Sequence, residues 1–354
     1  METLVRKNIK NLNAYKVDAP QYEIIVNANE SPYDFPMALK QQFCDEICNT
    51  DLNRYPEACF PELLKELSDY TGVPAEGIIC GSGSDEIIAM INQAFVNPSD
   101  VIVSHSPSFA MYDIWATIAD AKHIRVNDLP DHQPDIDTMI AEACENNAKL
   151  VYLCTPNNPT GHTFSRDDIL KILDAVPSLV ILDEAYIEFF GESSVDLITK
   201  YPRLLILRTL SKAFGLAGIR CGYALGNKEI IDVLYKVKGP YNLNVLTQKI
   251  AVIALKNRES ILSNLEILKA EREKAMAFLE ALNAFKLYPS GSNFIYFEAP
   301  QAEEIYEALL QNNILIKYFK DDDRETGSIR FSIGTPQENQ KILAIIKEVV
   351  YNET

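Results

Sequence analysis

The sequence predicts an α/β protein in two parts: a large domain around a mostly parallel seven-stranded sheet, and a smaller α+β domain. Three observations carry this. The chain has 354 residues, enough for two cores. Short apolar runs alternate with helix-like stretches from about Ile78 to Leu225. After "KGPYNLN" (Lys238–Asn244) the pattern changes to long helical sequence, then to mixed strands and helices.

The expected strands of the large sheet are Ile78–Cys80, Val101–His105, His123–Val126, Leu150–Cys154, Leu179–Asp183, Leu204–Arg208 and Cys221–Leu225. Spacings of about 20–30 residues leave room for crossover helices, and such runs suit a sheet covered on both faces. The last gap, Thr209 to Arg220, is barely long enough for a crossover, so the final strand is a candidate to run antiparallel. Ile250 to Leu282 is rich in Ala, Leu, Glu and Lys, holds no Gly or Pro, and reads as long helical structure. Then follow "SNFIYFEA", a helix-like "AEEIYEALLQNN", "ILIKYF", "SIRFSIGT" and a last helix from about Gln337 to Val349. The domain boundary is placed within the helical stretch. Residues 1–28 form an N-terminal arm packing with the small domain, 29–250 the large domain and 251–354 the small one.

Composition narrows the function classes. At 47% hydrophobic and 23% charged, the chain reads as soluble and globular. A net charge of −17 opposes non-specific binding to nucleic acid or anionic membranes. No apolar run approaches a transmembrane span, and the first residues lack the apolar core of a signal peptide. Seven cysteines form no CxxC pair, which argues against a disulfide framework and fits a cytoplasmic protein. Four histidines make no HExxH or zinc-finger spacing, so no metal site is expected.

Chemistry-bearing residues cluster where apolar runs end, and open α/β sheets bind ligands outside the carboxyl ends of their strands. The first run ends in "GSGSDE" (Gly81–Glu86), ahead of an apolar helical stretch. Small residues opening a helix leave backbone N–H groups free at the positive end of its dipole, a phosphate cradle. A helix capped by Ser84 or Asp85 is the structural alternative. "SPSFAMY" offers Phe109 and Tyr112 as stacking rings or as ordinary packing. "CTPNNPTG" is a rigid turn in which Asn158 can present an amide to a ligand. Asp183 follows four apolar residues, where an unpaired carboxylate is costly, so it needs a donor or a cation. Tyr186 lies three residues further on.

Lys212 sits in "RTLSKAFGLAGIRCGY" (Arg208–Tyr223), in a segment that reads as interior. Burial lowers a lysine's pKa from about 10.4 and makes the neutral amine accessible for condensation with an aldehyde. Eight residues on, Arg220 offers a planar fork suited to phosphate, and Ser211 a hydroxyl. Each part has an ordinary structural reading. Together they supply an amine, a phosphate clamp, a buried acid, a phenol and a stacking ring, the requirements of pyridoxal 5'-phosphate.

The ordered set "NANESPY", "RYP", "GSGSDE", "PSFAMY", "PNNPTG", "DEAYIEF", "SKAFGLAGIRCGY", "PYNLN" and "IRFSIGT" spans nearly the whole chain. It resembles the fold-type I pyridoxal-phosphate aminotransferases, most closely those of histidinol phosphate. The resemblance implies that Lys212 holds the cofactor as a Schiff base and shuttles the substrate proton. It implies that Asp183 pairs with the pyridinium nitrogen, that Tyr186 and Asn158 bond the ring's phenolic oxygen, and that Phe109 stacks on the ring. Ser84, Asp85, Ser211 and Arg220 would hold the cofactor phosphate, with Tyr55 reaching it from the neighbouring subunit of a homodimer. Arg330 would grip the substrate's anionic group, and Tyr15, Asn29 and Glu30 belong to the arm that closes over the site. Lys317 stands where relatives often carry a phosphate-binding arginine; it keeps the charge but loses the bidentate fork.

The expected reaction moves an amino group between glutamate and imidazole acetol phosphate, within histidine biosynthesis. Three alternatives share the scaffold: a broader aromatic or aliphatic amino-acid aminotransferase, a threonine-phosphate decarboxylase, and a non-catalytic ligand sensor. A sensor of that kind carries an added DNA-binding domain. Here the pattern starts near residue 10 and the net charge opposes DNA, so the sensor is disfavoured.

Overall fold

The computed structural model describes residues 4–10, 12–14, 21–320 and 326–352. Tyr15 lies outside the described residues. The arm's two-residue strand β1 (Ile24–Ile25) pairs in parallel with Ile314–Leu315, and Ile24 and Val26 join the core of the C-terminal part. The helices α1 (Met37–Cys48) and α2 (Pro61–Thr71) follow.

The alternation expected from the sequence is present. In order come β2 (Ile78–Ser82), α3 (Ser84–Phe95), β3 (Val101–Ser106), α4 (Met111–Ala119), β4 (Lys122–Asn127), α5 (Ile136–Glu145) and β5 (Leu150–Cys154). Then come α6 (Arg166–Ala175), β6 (Leu179–Asp183), the single turn α7 (Ile187–Phe190), β7 (Leu204–Thr209), β8 (Cys221–Gly226) and α8 (Lys228–Val237). The seven-stranded sheet has the order β2-β8-β7-β6-β5-β3-β4. β8 runs antiparallel to both neighbours and the other pairs are parallel. The short β7–β8 connection is the reason: without a crossover helix the chain must return in the opposite direction.

Both sheet faces are buried, so the central strands can be apolar throughout. Val151, Leu153, Val180, Leu182 and Ile206 face one core, shared with α2, α5, α6 and α9 (Val245–Lys256). Tyr152, Ile181, Leu205 and Leu207 face the other, shared with α3, α4 and α8. Each fully buried aliphatic side chain contributes about 1.5–3 kcal/mol.

The helical stretch expected over Ile250–Leu282 is broken into α9, α10 (Arg258–Leu262) and α11 (Asn264–Leu282). Its apolar residues serve two cores. Ile250, Ala254 and Ile261 belong to the large-sheet core, whereas Leu268, Ala275 and Leu279 belong to a separate one. Asn257 ends α9, its side-chain Nδ2 donating to Ile253 O at 2.8 Å. The C-terminal part adds β9 (Lys286–Leu287), β10 (Phe294–Ala299), α12 (Ala302–Gln311), β11 (Ile314–Leu315), β12 (Lys317–Phe319), β13 (Gly327–Ser332) and α13 (Pro336–Asn352). Its antiparallel sheet has the order β12-β13-β10-β9. All seven cysteines are free, with Cys80, Cys154 and Cys221 buried. No helix among the described residues is long and apolar enough to cross a membrane.

Candidate active site

The first part of the site is built by glycines at the carboxyl end of β2. Gly83, at φ +79°, is the N-cap of α3, and no side chain caps the helix. This corrects the expectation of Ser84 or Asp85 as cap: both lie inside the first turn. Glycine is needed for space. A Cβ at Gly83 would stand 2.3 Å from Arg220 Nη2, and one at Gly222 would stand 2.3 Å from Ser84 N. The strand β8 and the arginine therefore close directly on the start of α3. Arg220 Nη2 donates to Asp85 Oδ2 at 3.0 Å, and Nη1 reaches Ser211 Oγ at 3.5 Å. Ser211 is oriented by Thr209, whose Oγ1 lies 3.0 Å from Ser211 Oγ. Arg220 is held at φ +53°, a left-handed conformation costing about 1–2 kcal/mol for a residue with a Cβ. The cost places a cation beside the first-turn N–H groups of Ser84, Asp85 and Glu86, where an anion is favoured; the N–H of Gly83 is donated to Arg220 O at 3.2 Å.

The second part is the acid–amine pair on neighbouring strands. Asp183 ends β6 and is buried. Its Oδ2 accepts from Tyr112 Oη at 2.7 Å, and its Oδ1 from Ala185 N at 3.2 Å. Burial raises its pKa to about 6, against the lowering effect of both hydrogen bonds. Lys212 lies just past β7, between buried Ser211 and Ala213, and is itself half-buried. Its ammonium donates to Ala28 O at 2.8 Å and stands 5.7 Å from the centre of the Tyr186 ring. Desolvation lowers its pKa to about 8; the charges of Arg330 and Arg220 act in the same direction, and Glu30 and Asp85 oppose them. The interior amine expected from sequence is thus present, with one face open rather than fully enclosed.

The third part comes from the arm and the small sheet. Asn29, buried at φ +56°, donates through Nδ2 to Tyr186 Oη at 2.9 Å, and its N–H donates to Ser332 Oγ at 2.9 Å. Asn293 Nδ2 holds Asn29 O at 3.1 Å. Arg330, on β13, donates to Asn158 Oδ1 and to Asn27 O, and lies over the Phe294 ring at 5.4 Å. Lys317 is the register partner of Arg330 across β12–β13, and Tyr296 is its partner on β10. Three side chains in one row share one sheet face.

Lys212, Asn29, Tyr186, Asn158 and Arg330 are thus linked by direct contacts or by charge, as are Arg220, Asp85 and Ser211. Phe109 is half-buried, edge-on to Tyr112 at 5.7 Å. Glu30 and Lys317 are exposed. Tyr55 stands apart: it is 80% exposed and stacks on Tyr241 with 4.4 Å between ring centres.

Tyr112 is the residue whose part sequence reasoning missed. In the sequence it stands only as an aromatic beside Phe109, yet in the structure it supplies the side-chain donor that Asp183 requires. Its place at the first turn of α4, on the sheet face that carries Asp183, is visible only once β3 and β6 are set in order. Asn293 is another; a lone asparagine before an apolar strand carries no sequence signal. No group of three or more His, Cys, Asp or Glu among the described residues could hold a metal ion. His105, His123 and His132 pair instead with Asp128, Asp113 and Glu298.

Known proteins resemble the chain over nearly its whole length. The family model for aminotransferase class I and II matches residues 23–346. A histidinol-phosphate aminotransferase of Thermoanaerobacter pseudethanolicus is 38% identical over 351 residues, 99% of each chain. One from Ruminiclostridium cellulolyticum is 34% identical over the full length of both. The crystal structure of the Sinorhizobium meliloti histidinol-phosphate aminotransferase, in complex with pyridoxal-5'-phosphate, superimposes with a TM-score of 0.89 over 99% of both chains. At 20% identity that likeness concerns the fold. By its sequence, from the arm to the last helix, the chain belongs to the class I and II aminotransferases.

Proposed function

We propose that the protein is a pyridoxal-phosphate-dependent transaminase exchanging an amino group between glutamate and imidazole acetol phosphate, giving 2-oxoglutarate and histidinol phosphate. The observation that carries this reading is one amine of lowered basicity under the influence of two separate cationic centres. Arg220 stands at the uncapped start of α3, and Arg330 stands opposite Lys317; both arginines depress the Lys212 pKa. Two anion-binding centres suit a phosphorylated cofactor and an anionic substrate. The names of the full-length relatives support the same substrate.

The residues fit the cofactor. The glycine-lined cradle takes a phosphate, the buried carboxylate takes a protonated ring nitrogen, and Lys212 takes an aldehyde. Pyridoxal phosphate held there would supply an aldehyde for the substrate amine and a ring able to take up electrons from the α-carbon. Ser84, Asp85, Ser211 and Arg220 hold its phosphate through backbone and side-chain donors. Asp183 would pair with the ring nitrogen and keep it protonated, the two opposite charges each favouring the ionised form of the other. Tyr186 and Asn158 would bond the ring oxygen, and Phe109 would cover one ring face. The Lys212 amine moves the proton at the substrate α-carbon; a pKa of about 8 leaves it a usable base near neutrality. Arg330 and Lys317 hold the substrate's anionic group. Asn29 and Glu30, where the arm meets the large domain, would border the substrate.

The active unit is a homodimer in which Tyr55 reaches the partner's cofactor phosphate. Its exposure, together with that of Met37 (76%), Leu52 (64%) and Tyr241 (45%), supports an apolar contact surface. An acidic chain with free thiols suits the reducing cytoplasm. The sequence reading starts the small domain at residue 251, but Ala251–Leu255 and Ile261 pack in the large-sheet core; the handover is therefore placed between Ile261 and Leu268, where the core membership of the helices changes.

The test is single-turnover spectroscopy. The pure protein is yellow, with an absorption band that Lys212→Ala abolishes. Histidinol phosphate bleaches that band at least about tenfold faster than phenylalanine or threonine phosphate, a difference of about 1.4 kcal/mol. Equal rates with phenylalanine refute the phosphate-specific reading. Release of carbon dioxide from threonine phosphate favours the lyase.

A further inference from the structure

The two loops that carry Phe109 and Asn158 follow β3 and β5, which are parallel neighbours in the sheet. Each loop delivers one proposed contact to the cofactor ring. Neither contact residue ties the loops together: Phe109 leans on Tyr112, and Asn158 Oδ1 accepts from Arg330. The tie is the preceding residue, Asn157, which is completely buried. Its Nδ2 donates to Pro107 O at 2.9 Å and to Thr160 Oγ1 at 2.8 Å, and its Oδ1 accepts from Ser108 Oγ at 2.9 Å. Two of the three bonds cross to the neighbouring loop. The amide has one workable orientation, because a flip would set its oxygen against the carbonyl of Pro107.

Behind Ser108 the network continues into the sheet. His105 Nε2 lies 3.4 Å from Ser108 Oγ, and His105 Nδ1 lies 3.1 Å from Asp128 Oδ1, with both side chains buried. Asp128 directly follows β4. The carboxyl ends of three adjacent strands, β4, β3 and β5, are thereby tied in sequence. Phe109 and Asn158 are each the immediate chain neighbour of a network residue, Ser108 and Asn157.

We propose that Asn157, braced by Ser108, His105 and Asp128, is the positioning element that sets Phe109 and Asn158 jointly against the cofactor ring. This rests on the cofactor reading above. None of the four residues touches the reacting atoms; they act through their neighbours, and a misplacement of about 1 Å at such contacts can cost a hundredfold in rate.

The experiment compares holoenzymes of the wild type, Ser108→Ala, Ser108→Thr, Asn157→Ala and Asn158→Ala. The visible band is titrated with pH, and melting temperature is recorded alongside. A contact to the ring oxygen sets the apparent pKa of the lysine-bound cofactor, so Asn158→Ala shifts it. Ser108→Ala and Asn157→Ala shift it in the same direction by about half a unit or more. Their kcat falls about tenfold with KM nearly unchanged, and Ser108→Thr restores both readouts. If Asn157→Ala does not fold, the two Ser108 variants decide. Variants that melt lower while their titration curves superimpose on the wild type overturn the proposal and leave a purely structural staple. A wild-type protein with no band at all, indifferent to Lys212→Ala, refutes the cofactor reading and this inference together.

Discussion

Replacing Asp183 by asparagine should stabilise the cofactor-free protein and weaken the loaded one. The carboxyl is buried, and desolvation raises its pKa from 3.8 to about 6. The native state therefore binds this proton more tightly than the unfolded state. The resulting penalty is absent below about pH 4, grows as pH rises between the two pKa values, and is complete above about pH 6. A shift of about two units corresponds to about 3 kcal/mol. Asparagine keeps the shape and can still bond Tyr112 and Ala185 N, so most of the penalty disappears with the charge. In urea unfolding of the cofactor-free protein, Asp183→Asn should be more stable by about 3 kcal/mol at pH 8, narrowing to about 2 kcal/mol at pH 5.3. The window stops there because the isoelectric point is near 4.7. With pyridoxal phosphate added, the order reverses, since the neutral amide cannot stabilise a protonated ring nitrogen. A cofactor-free variant less stable than the wild type at pH 8, or a gap that ignores pH, would refute the reasoning.

Tyr112→Phe removes a hydrogen bond that lowers the Asp183 pKa, so in urea unfolding of the cofactor-free protein the pH at which the Asp183 penalty becomes complete should move up from about 6; an unmoved curve would mean that Tyr112 does not hold that pKa down. Lys317→Arg should lower KM for histidinol phosphate a few-fold by restoring the bidentate fork, and Lys317→Met should raise it about tenfold or more. Equal KM values in all three would remove Lys317 from the substrate site. Tyr55→Ala and Lys212→Ala should each be inactive alone, whereas refolded mixtures should recover about a quarter of wild-type activity, because half the dimers carry one intact shared site. No recovery, with dimers formed, would place Tyr55 outside the partner's site.

Much of this architecture was legible in the sequence because it is written in local pattern. Two strands, Leu150–Cys154 and Leu179–Asp183, begin where their apolar runs do, and the first ends with its run while the second ends one residue on, at Asp183, since strands buried on both faces tolerate few polar residues. The antiparallel return of β8 followed from loop length alone. Lys212, Asp183 and Asn158 were visible because each is a polar residue at the end of an apolar run or in a turn beside one. The break of the long helical stretch at Asn257 had only a weak local signal, a run holding Asn257, Ser260, Ser263 and Asn264, residues that favour helix ends but also occur inside helices. It is the need to serve two cores that bends the chain.

By itself, the sequence determined the α/β class, the order of the elements, the amine, the acid and the glycines that open α3. Those are properties of single residues and of their near neighbours along the chain. Only the tertiary structure decided that Gly83 caps α3, that Tyr112 rather than a cation satisfies Asp183, and that Asn157 fastens two loops. It also decided that Lys317 faces Arg330 across a strand pair. Each of these joins groups far apart in sequence. Sheet register, the close approach made possible by glycine, and the need of buried polar atoms for partners are settled only when the strands lie side by side.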